Sequence, residues 1–165
     1  MSAAKKLPRS VDAVFITGDL TDNGVGYELI LASLAKYRDR EMLFAVPGNH
    51  DLYLFPLLGS TRPKPTPVSK RAAWNGFLGE LGLEARPSGM WHRYFPESKV
   101  MLVGLDSCAR GQPRFYRHNG GVGLAQMRDL VELSQTHDWR HARHRVVGLH
   151  HHVVPLAWGV GRKPP

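Results

Sequence analysis

Three polar side chains of different chemistry stand next to one another at Asn49, His50 and Asp51. They follow Gly48 and a fully apolar run over residues 42–46, which has the composition of a buried strand. Ligands of open α/β sheets collect at the carboxyl ends of the strands. An amide oxygen, an imidazole and a carboxylate at such a position predict metal binding or acid–base chemistry.

Three further apolar runs, over residues 11–16, 100–105 and 146–149, also lead into polar residues. Asp106 is expected to bond to nearby loop amides, as short polar side chains do in turns. We expect the ends of these strands to meet at one edge of a sheet. The residues that follow the three runs are Asp19 and Asp22, Asp106 and Ser107, and His150, His151 and His152.

Asp19, Asn49 and His150 together offer a carboxylate, an amide oxygen and an imidazole nitrogen. That mixed set favours Mn²⁺, Fe or Zn²⁺ over Ca²⁺. A carboxylate that bridges two cations roughly 3.5–4 Å apart can help to activate water for attack at phosphorus. His50 would then be free to meet the substrate as an acid, with Asp51 expected to hold its second ring nitrogen.

Amphipathic helical patterns separate the apolar runs in the first half of the chain. One spans residues 27–37, and either Asp22 or Asn23 can cap its start. A second is expected to begin with Ser69 as its cap and to stop at Gly82. The alternation of strand and helix predicts an α/β architecture.

The second half of the chain predicts another helix and a hairpin. The helix runs over residues 123–136, and residues 91–95 are expected to pair with the strand at 100–105. Helix spacing is expected to turn four apolar residues inward, namely Leu124, Met127, Leu130 and Val131.

Composition narrows the class of protein. The 165 residues contain one cysteine, Cys108, and no apolar run approaches the ~20 residues of a membrane span. We therefore expect no membrane partner and a reducing cytoplasm as the location, and Cys108 is expected to be a buried or semi-buried residue that is not a nucleophile. The net charge of +8 is spread along the chain without an aromatic or arginine-rich motif, which disfavours nucleic acid as a partner.

The motifs, in their order, resemble the calcineurin-like metallophosphoesterase superfamily. The matching stretches are Gly-Asp-Leu-Thr-Asp at 18–22, Gly-Asn-His-Asp at 48–51 and Leu-His-His at 149–151. The sequences of these motifs are most similar to those of the cyclic-nucleotide-phosphodiesterase-like branch. The resemblance implies a partial four-layer α/β/β/α fold in a single, incomplete domain over residues 1–165. Asp22 would shape its loop rather than bind metal.

The resemblance also implies a role for the other matching residues. Asp19 would bridge two divalent metal ions, and Asn49 and His150 would bind the second of them. His150 is preferred over the two histidines after it because it directly follows the strand. His50 would be the acid that faces the phosphate, supported by Asp51. The family's ions are Mn, Fe or Zn.

Two family motifs are missing from this sequence, an opening Asp-x-His and a closing Gly-His-x-His. Both supply ligands to the first metal, so the chain is expected to be truncated at both ends and to hold as few as one ion. Missing strands would also leave sheet edges exposed, which favours self-association.

The expected function is metal-dependent hydrolysis of phosphomonoesters or phosphodiesters, cyclic nucleotides included. The loops over residues 52–69 and 109–121 are expected to select the substrate, and no substrate-binding residue is assigned. The alternative is a non-catalytic interaction module on the same scaffold, since two ligand motifs are missing. Nucleic-acid binding, suggested by charge alone, ranks last.

Overall fold

A computed structural model describes residues 11–22, 24–53, 66–108 and 120–152. Among the helices of these segments, none combines the length and apolarity that crossing a membrane requires. The strands and helices in chain order are β1 (Val14–Ile16), α1 (Tyr27–Ser33), α2 (Ala35–Arg38), β2 (Leu43–Ala45), α3 (Asn49–Leu52), α4 (Pro67–Glu80), β3 (Trp91–Phe95), β4 (Val100–Gly104), α5 (Leu124–Ser134), α6 (His137–His141) and β5 (His144–Gly148).

The strands form two small sheets. β1 and β2 are parallel neighbours, with Phe15 opposite Phe44. The second sheet has the order β3-β4-β5, in which β3 and β4 form an antiparallel hairpin and β4 and β5 are parallel. The predicted hairpin is therefore confirmed. Parallel pairs joined through helices also confirm the predicted α/β class.

Aromatic side chains join the two sheets. The rings of Phe15 and Phe44 stack on Trp91, with centroids 5.6 and 5.9 Å from it. Trp91 Nε1 donates a hydrogen bond to the carbonyl oxygen of Ala45 at 2.8 Å. A buried indole whose N–H is bonded supplies a large apolar contact with a defined orientation. Trp91 therefore fixes how the second sheet lies over β1 and β2.

Helices cover the outer faces of both sheets. One core cluster joins β2 to α1, α2 and α4 and includes Trp74 and Phe77. The other lies between the second sheet and α5 and includes Met101, Val103 and Leu133. The layers of the described residues thus follow the order helix, sheet, sheet, helix, as expected for the α/β/β/α fold.

Two helices start differently from the prediction. α1 begins after Gly26, which has φ 94° and offers no side-chain cap, so Asp22 does not cap it, and Asn23 lies outside the described residues. α4 uses Thr66 as its cap, and Ser69 is the third helical residue of a capping box. The single helix predicted over residues 27–37 is also divided into α1 and α2.

α5 presents a different face to the sheet from the predicted one. Gln126 is buried because its side chain accepts from the backbone N–H of Asp106 and donates to the Asp106 carbonyl, at 2.8 and 2.7 Å. These bonds rotate the Gln126 and Leu133 side of α5 inward, and only Leu130 of the predicted set packs on the core. The inward prediction is wrong for the three residues that are exposed, Leu124, Met127 and Val131.

The outer edges of β1 and β5 have no partner strand among the described residues. On β5, Val146 and Val147 are both exposed. Open edges that carry β-branched side chains are templates for pairing with another chain. Self-association through these edges therefore stays a prediction.

Gly104 on β4 allows a direct test of the packing between the sheets. A Cβ at this position would lie 2.2 Å from Trp91 Cε2, and the stacked indole has no room to retreat. Gly104→Ala is expected to lower the free energy of unfolding by about 1–3 kcal/mol in urea denaturation. The matched control is Gly76→Ala in α4, where no atom lies within 4 Å and alanine should add about 0.5–1 kcal/mol. Equal effects at the two sites would contradict this packing.

Candidate active site

The loops after β1 and β2 pack backbone against backbone. A Cβ on Gly18, which has φ 96°, would lie 2.3 Å from the backbone nitrogen of Gly48. A Cβ on Gly48 would lie 2.1 Å from Asp19 Oδ1. The two glycines of the sequence motifs are therefore needed for this close approach. It places Asp19 beside the start of α3, which carries Asn49 and His50.

Three of the predicted site residues meet at this point. His150 Nε2 lies 3.0 Å from Asn49 Oδ1 and 3.4 Å from Asp19 Oδ2. The other oxygen of Asp19 accepts from the backbone N–H of His50 at 3.0 Å. His150 reaches the cluster from the second sheet because β5 ends at Gly148, over the ring of Phe15 on β1.

The chemistry of these three side chains fits a cation. His150 Nδ1 lies 2.7 Å from the carbonyl oxygen of Thr17, which can only accept, so Nδ1 carries a proton. In the neutral imidazole, Nε2 then directs a lone pair at the oxygens of Asn49 and Asp19. Acceptors that converge in this way are stabilised by positive charge between them, either a metal ion or a second proton on His150.

The ligand set is small. Over residues 11–22, 24–53, 66–108 and 120–152, no group of three or more His, Cys, Asp or Glu side chains is placed to hold a metal ion. The cluster contains only one carboxylate and one imidazole, and the amide of Asn49 is its third donor. These described residues therefore offer three side-chain ligands to one cation.

His50 pairs with Asp22 at the rim of the site. Its Nδ1 lies 2.7 Å from Asp22 Oδ1, and the side chains of the two residues are 40% and 75% exposed. A carboxylate that accepts from Nδ1–H fixes the orientation of the imidazole ring. Asp22, which was expected to cap a helix or to shape its loop, is thus the partner of the predicted acid.

Asp51 does not support His50, and that prediction is wrong. Its fully buried carboxylate accepts from the backbone N–H groups of Thr21 and Gly48, both at 2.9 Å, and from the Thr21 and Tyr27 hydroxyls. Consecutive side chains on a helix point about 100° apart, so in α3 Asp51 faces the core while His50 faces solvent. Asp51 therefore ties the loop after β1 to the turn before α3.

Tyr27 donates one of the hydrogen bonds that hold the Asp51 carboxylate. Burial, together with the charge of Asp51, raises the pKa of its phenol well above the ordinary value. The hydroxyl therefore keeps its proton and donates to Asp51 Oδ1 at 3.3 Å. The carboxylate in the core is paired entirely by donors, as a buried charge requires.

Lys70 is a residue of this site that sequence reasoning missed. It lies on α4 and is 1% exposed, and its Nζ donates to the carbonyl oxygens of Asp22, His50 and Tyr53. Desolvation lowers the pKa of this ammonium group, and the charges of nearby aspartates raise it. Helix spacing could have predicted that Lys70 is buried, because it falls on the same face of α4 as the core residues Trp74 and Phe77.

The loops after β4 and β5 meet next to the cluster. Ser107 Oγ lies 2.9 Å from His151 Nδ1 and accepts from the His151 backbone N–H. Asp106 accepts from the backbone N–H of Cys108 at 2.8 Å and from Arg71 at 2.6 Å. The prediction that Asp106 serves a loop amide is confirmed. His151 contacts Ser107, whereas His150 contacts Asn49 and Asp19.

Cys108 is a buried core residue. Its Sγ lies 3.7 Å from the carbonyl oxygen of Pro47, and burial together with the charge of Asp106 raises the pKa of the thiol. A thiol in such surroundings stays protonated and unreactive. The expectation that Cys108 is not a nucleophile agrees with this environment.

A family model for calcineurin-like phosphoesterases matches residues 2–162. The chain belongs to the calcineurin-like phosphoesterase family. This confirms the superfamily that the motifs at 18–22 and 48–51 indicated. Neither a curated protein nor a solved structure matches the chain. A calcineurin-like phosphoesterase is in general a metal-dependent enzyme that hydrolyses phosphoesters, and a phosphoester substrate is consistent with this family.

Two loops expected to select the substrate are only partly described. Residues 54–65 and 109–119 lie outside the described segments. The described residues of this calcineurin-like phosphoesterase therefore include the strand ends, where the candidate ligands lie, but not the greater part of these two loops.

Proposed function

We propose that this calcineurin-like phosphoesterase hydrolyses phosphodiesters, with a divalent cation held by Asp19, Asn49 and His150 and with His50 as general acid. The observation that carries the proposal is the convergence of these three donors, with His150 Nε2 within 3.0–3.4 Å of both oxygens. Mn, Fe and Zn suit this mixture of oxygen and nitrogen ligands.

The ligands are held in place by their own hydrogen bonds. Asp19 Oδ1 is engaged by the backbone N–H of His50, which directs Oδ2 toward His150. The carbonyl of Thr17 holds the Nδ1–H of His150 and keeps the Nε2 lone pair for the cation. When bound, a divalent cation would polarise the phosphoryl group and lower the pKa of a water nucleophile.

In the proposed reaction, His50 would protonate the leaving group. Asp22 accepts from its Nδ1–H and orients the ring, and the half-exposed position of the imidazole leaves room for a substrate. A protonated His50 can transfer a proton to the oxygen that leaves phosphorus. That transfer matters most for alkoxide leaving groups, which are strongly basic, and least for nitrophenolate.

The substrate class follows from charge and motif. A net charge of +8 favours association with anionic esters. The motif sequences at 18–22 and 48–51 are most similar to those of the cyclic-nucleotide-phosphodiesterase-like branch, so cyclic nucleotides are the first diesters to test. The cytoplasm is the proposed compartment, because Cys108 is a free thiol and reducing conditions preserve it.

The test begins with metal-free protein and separate additions of Mn²⁺, Fe²⁺ and Zn²⁺. Calorimetry is expected to detect one bound cation per chain, and hydrolysis of a phosphodiester should depend on it. His50→Gln is expected to reduce turnover of an alkyl-leaving diester about 10²–10⁴-fold and to affect bis(p-nitrophenyl) phosphate much less. His137→Gln, an exposed histidine remote from these ligands, is the matched control.

Two results would contradict the proposal. One is the absence of turnover with every metal, which would favour a non-catalytic module on this scaffold. The other is a His50→Gln variant that loses equal activity on both kinds of leaving group, which would remove the acid role. Assays with phosphomonoesters and cyclic nucleotides on the same preparation decide between substrate classes.

A further inference from the structure

The ammonium group of Lys70 connects the two backbone segments that carry His50 and Asp22. Its Nζ donates to the Asp22 carbonyl at 2.9 Å and also to the carbonyl oxygens of His50 and Tyr53. An ammonium group has three N–H donors, and these three carbonyls use all of them. Lys70 thus bonds to the main chain of both residues whose side chains form the imidazole–carboxylate pair.

The position of α3 explains why a cation is useful there. This helix is one turn long, so its last carbonyl groups have no partners within the helix. The carbonyls of His50 and Tyr53 lie at that end, where positive charge is favoured. Lys70 supplies the charge from α4 and joins the end of α3 to the loop after β1.

The burial of Lys70 is costly without such a role. Moving an ammonium group out of water is unfavourable, and desolvation is the largest influence on its pKa. A methionine has a similar volume and could occupy this buried position on α4 without that penalty. The charge is compensated by the three carbonyls and by the nearby carboxylates of Asp51 and Asp22.

We propose that Lys70 is a positioning residue that sets the geometry between His50 and Asp22 and thereby the efficiency of the general acid. The inference rests on the proposed function of His50. The hydrogen bonds of Lys70 Nζ go to main-chain carbonyls, so its charge acts on Asp19 only through space, and Asp19 and His150 are held by other bonds. Loss of Lys70 should therefore weaken proton donation more than cation binding.

The kinetic test compares leaving groups in the Lys70→Met variant. Turnover of an alkyl-leaving diester is expected to fall about tenfold to a hundredfold, against less than threefold for bis(p-nitrophenyl) phosphate, with KM unchanged. Lys70→Met should add little to His50→Gln, because both changes remove the same step. Lys70→Arg, which keeps the charge and donors, should recover part of the loss, and Lys36→Met is the exposed control.

A spectroscopic test does not depend on turnover. Long-range ¹H–¹⁵N spectra report which ring nitrogen of His50 carries the proton in the neutral form. The bond to Asp22 requires Nδ1–H, so the wild-type protein is expected to show that tautomer, as Lys36→Met should. In Lys70→Met the ring is expected to move to the Nε2–H tautomer typical of an unrestrained imidazole.

The outcomes separate this inference from the proposed function. Equal losses for both leaving groups, additive effects with His50→Gln, or an unchanged tautomer in Lys70→Met would each overturn it. If wild-type protein fails to turn over any ester, the proposed function fails, and the tautomer still decides whether Lys70 positions His50. Should Lys70→Met fail to fold, Lys70→Gln, which keeps two amide N–H donors, is measured in the same way.

Discussion

Asp19→Asn is expected to weaken cation binding by more than about 100-fold, the upper end of the loss seen when a ligand's supporting partner is removed. The change removes the negative charge that faces His150 Nε2 at 3.4 Å. It keeps an oxygen that can accept from the His50 backbone N–H. Asparagine also tolerates the φ of 56° at this position, so the loop should keep its shape. Metal-dependent turnover should fall at least as far.

Calorimetric titration with Mn²⁺ measures the affinity, and steady-state hydrolysis of a phosphodiester measures the turnover. Asp12→Asn is the matched control, because Asp12 is an exposed aspartate of the same segment, and it should leave both values unchanged. An Asp19→Asn protein that binds Mn²⁺ as tightly as the wild type would show that the cation is held elsewhere. An intact urea transition in both variants would confirm that the comparison concerns the site.

Asp51→Ala is expected to lower the free energy of unfolding by about 3–5 kcal/mol, the range found when one partner of a buried charged network is removed. The carboxylate accepts from two backbone N–H groups and two hydroxyls, and all four donors would lose their partner. Each orphaned buried donor carries a desolvation penalty. Asp51→Asn should cost less, since its amide oxygen can still accept.

Urea denaturation followed by circular dichroism measures these values. Asp39→Asn is the control, because its side chain is 61% exposed and should change stability by less than about 0.5 kcal/mol. A stable Asp51→Ala protein that had lost only activity would restore the catalytic role predicted from its place beside His50. The two experiments thus distinguish a proposed ligand, Asp19, from a structural carboxylate, Asp51.

Much of the site follows from local sequence. Apolar runs bounded by polar residues predicted the strands, and motif order predicted the family that the match over residues 2–162 confirms. Parallel strands place their carboxyl ends at one edge, so Asp19 and Asn49 were expected to be neighbours. The structure brings His150 to them as well, although β5 belongs to the other sheet.

The partner of His50 could not be predicted from proximity along the chain. Asp51 is its neighbour in sequence, but the turn of α3 directs the two side chains to different sides. Asp22 is 28 residues away and becomes the partner because the glycines of both loops allow their backbones to touch. Contacts of this kind depend on the packing of two loops, which sequence spacing does not encode.

By itself, the sequence determined which residue types stand at the strand ends, and so the chemistry available there. Tertiary structure alone decided what each of them contacts. Lys70, an ordinary helical lysine in the sequence, is buried by the docking of α4 and bonds to the carbonyls of Asp22 and His50. Asn49, His50 and Asp51 face the proposed cation site, solvent and the core, because consecutive side chains on a helix point in directions about 100° apart.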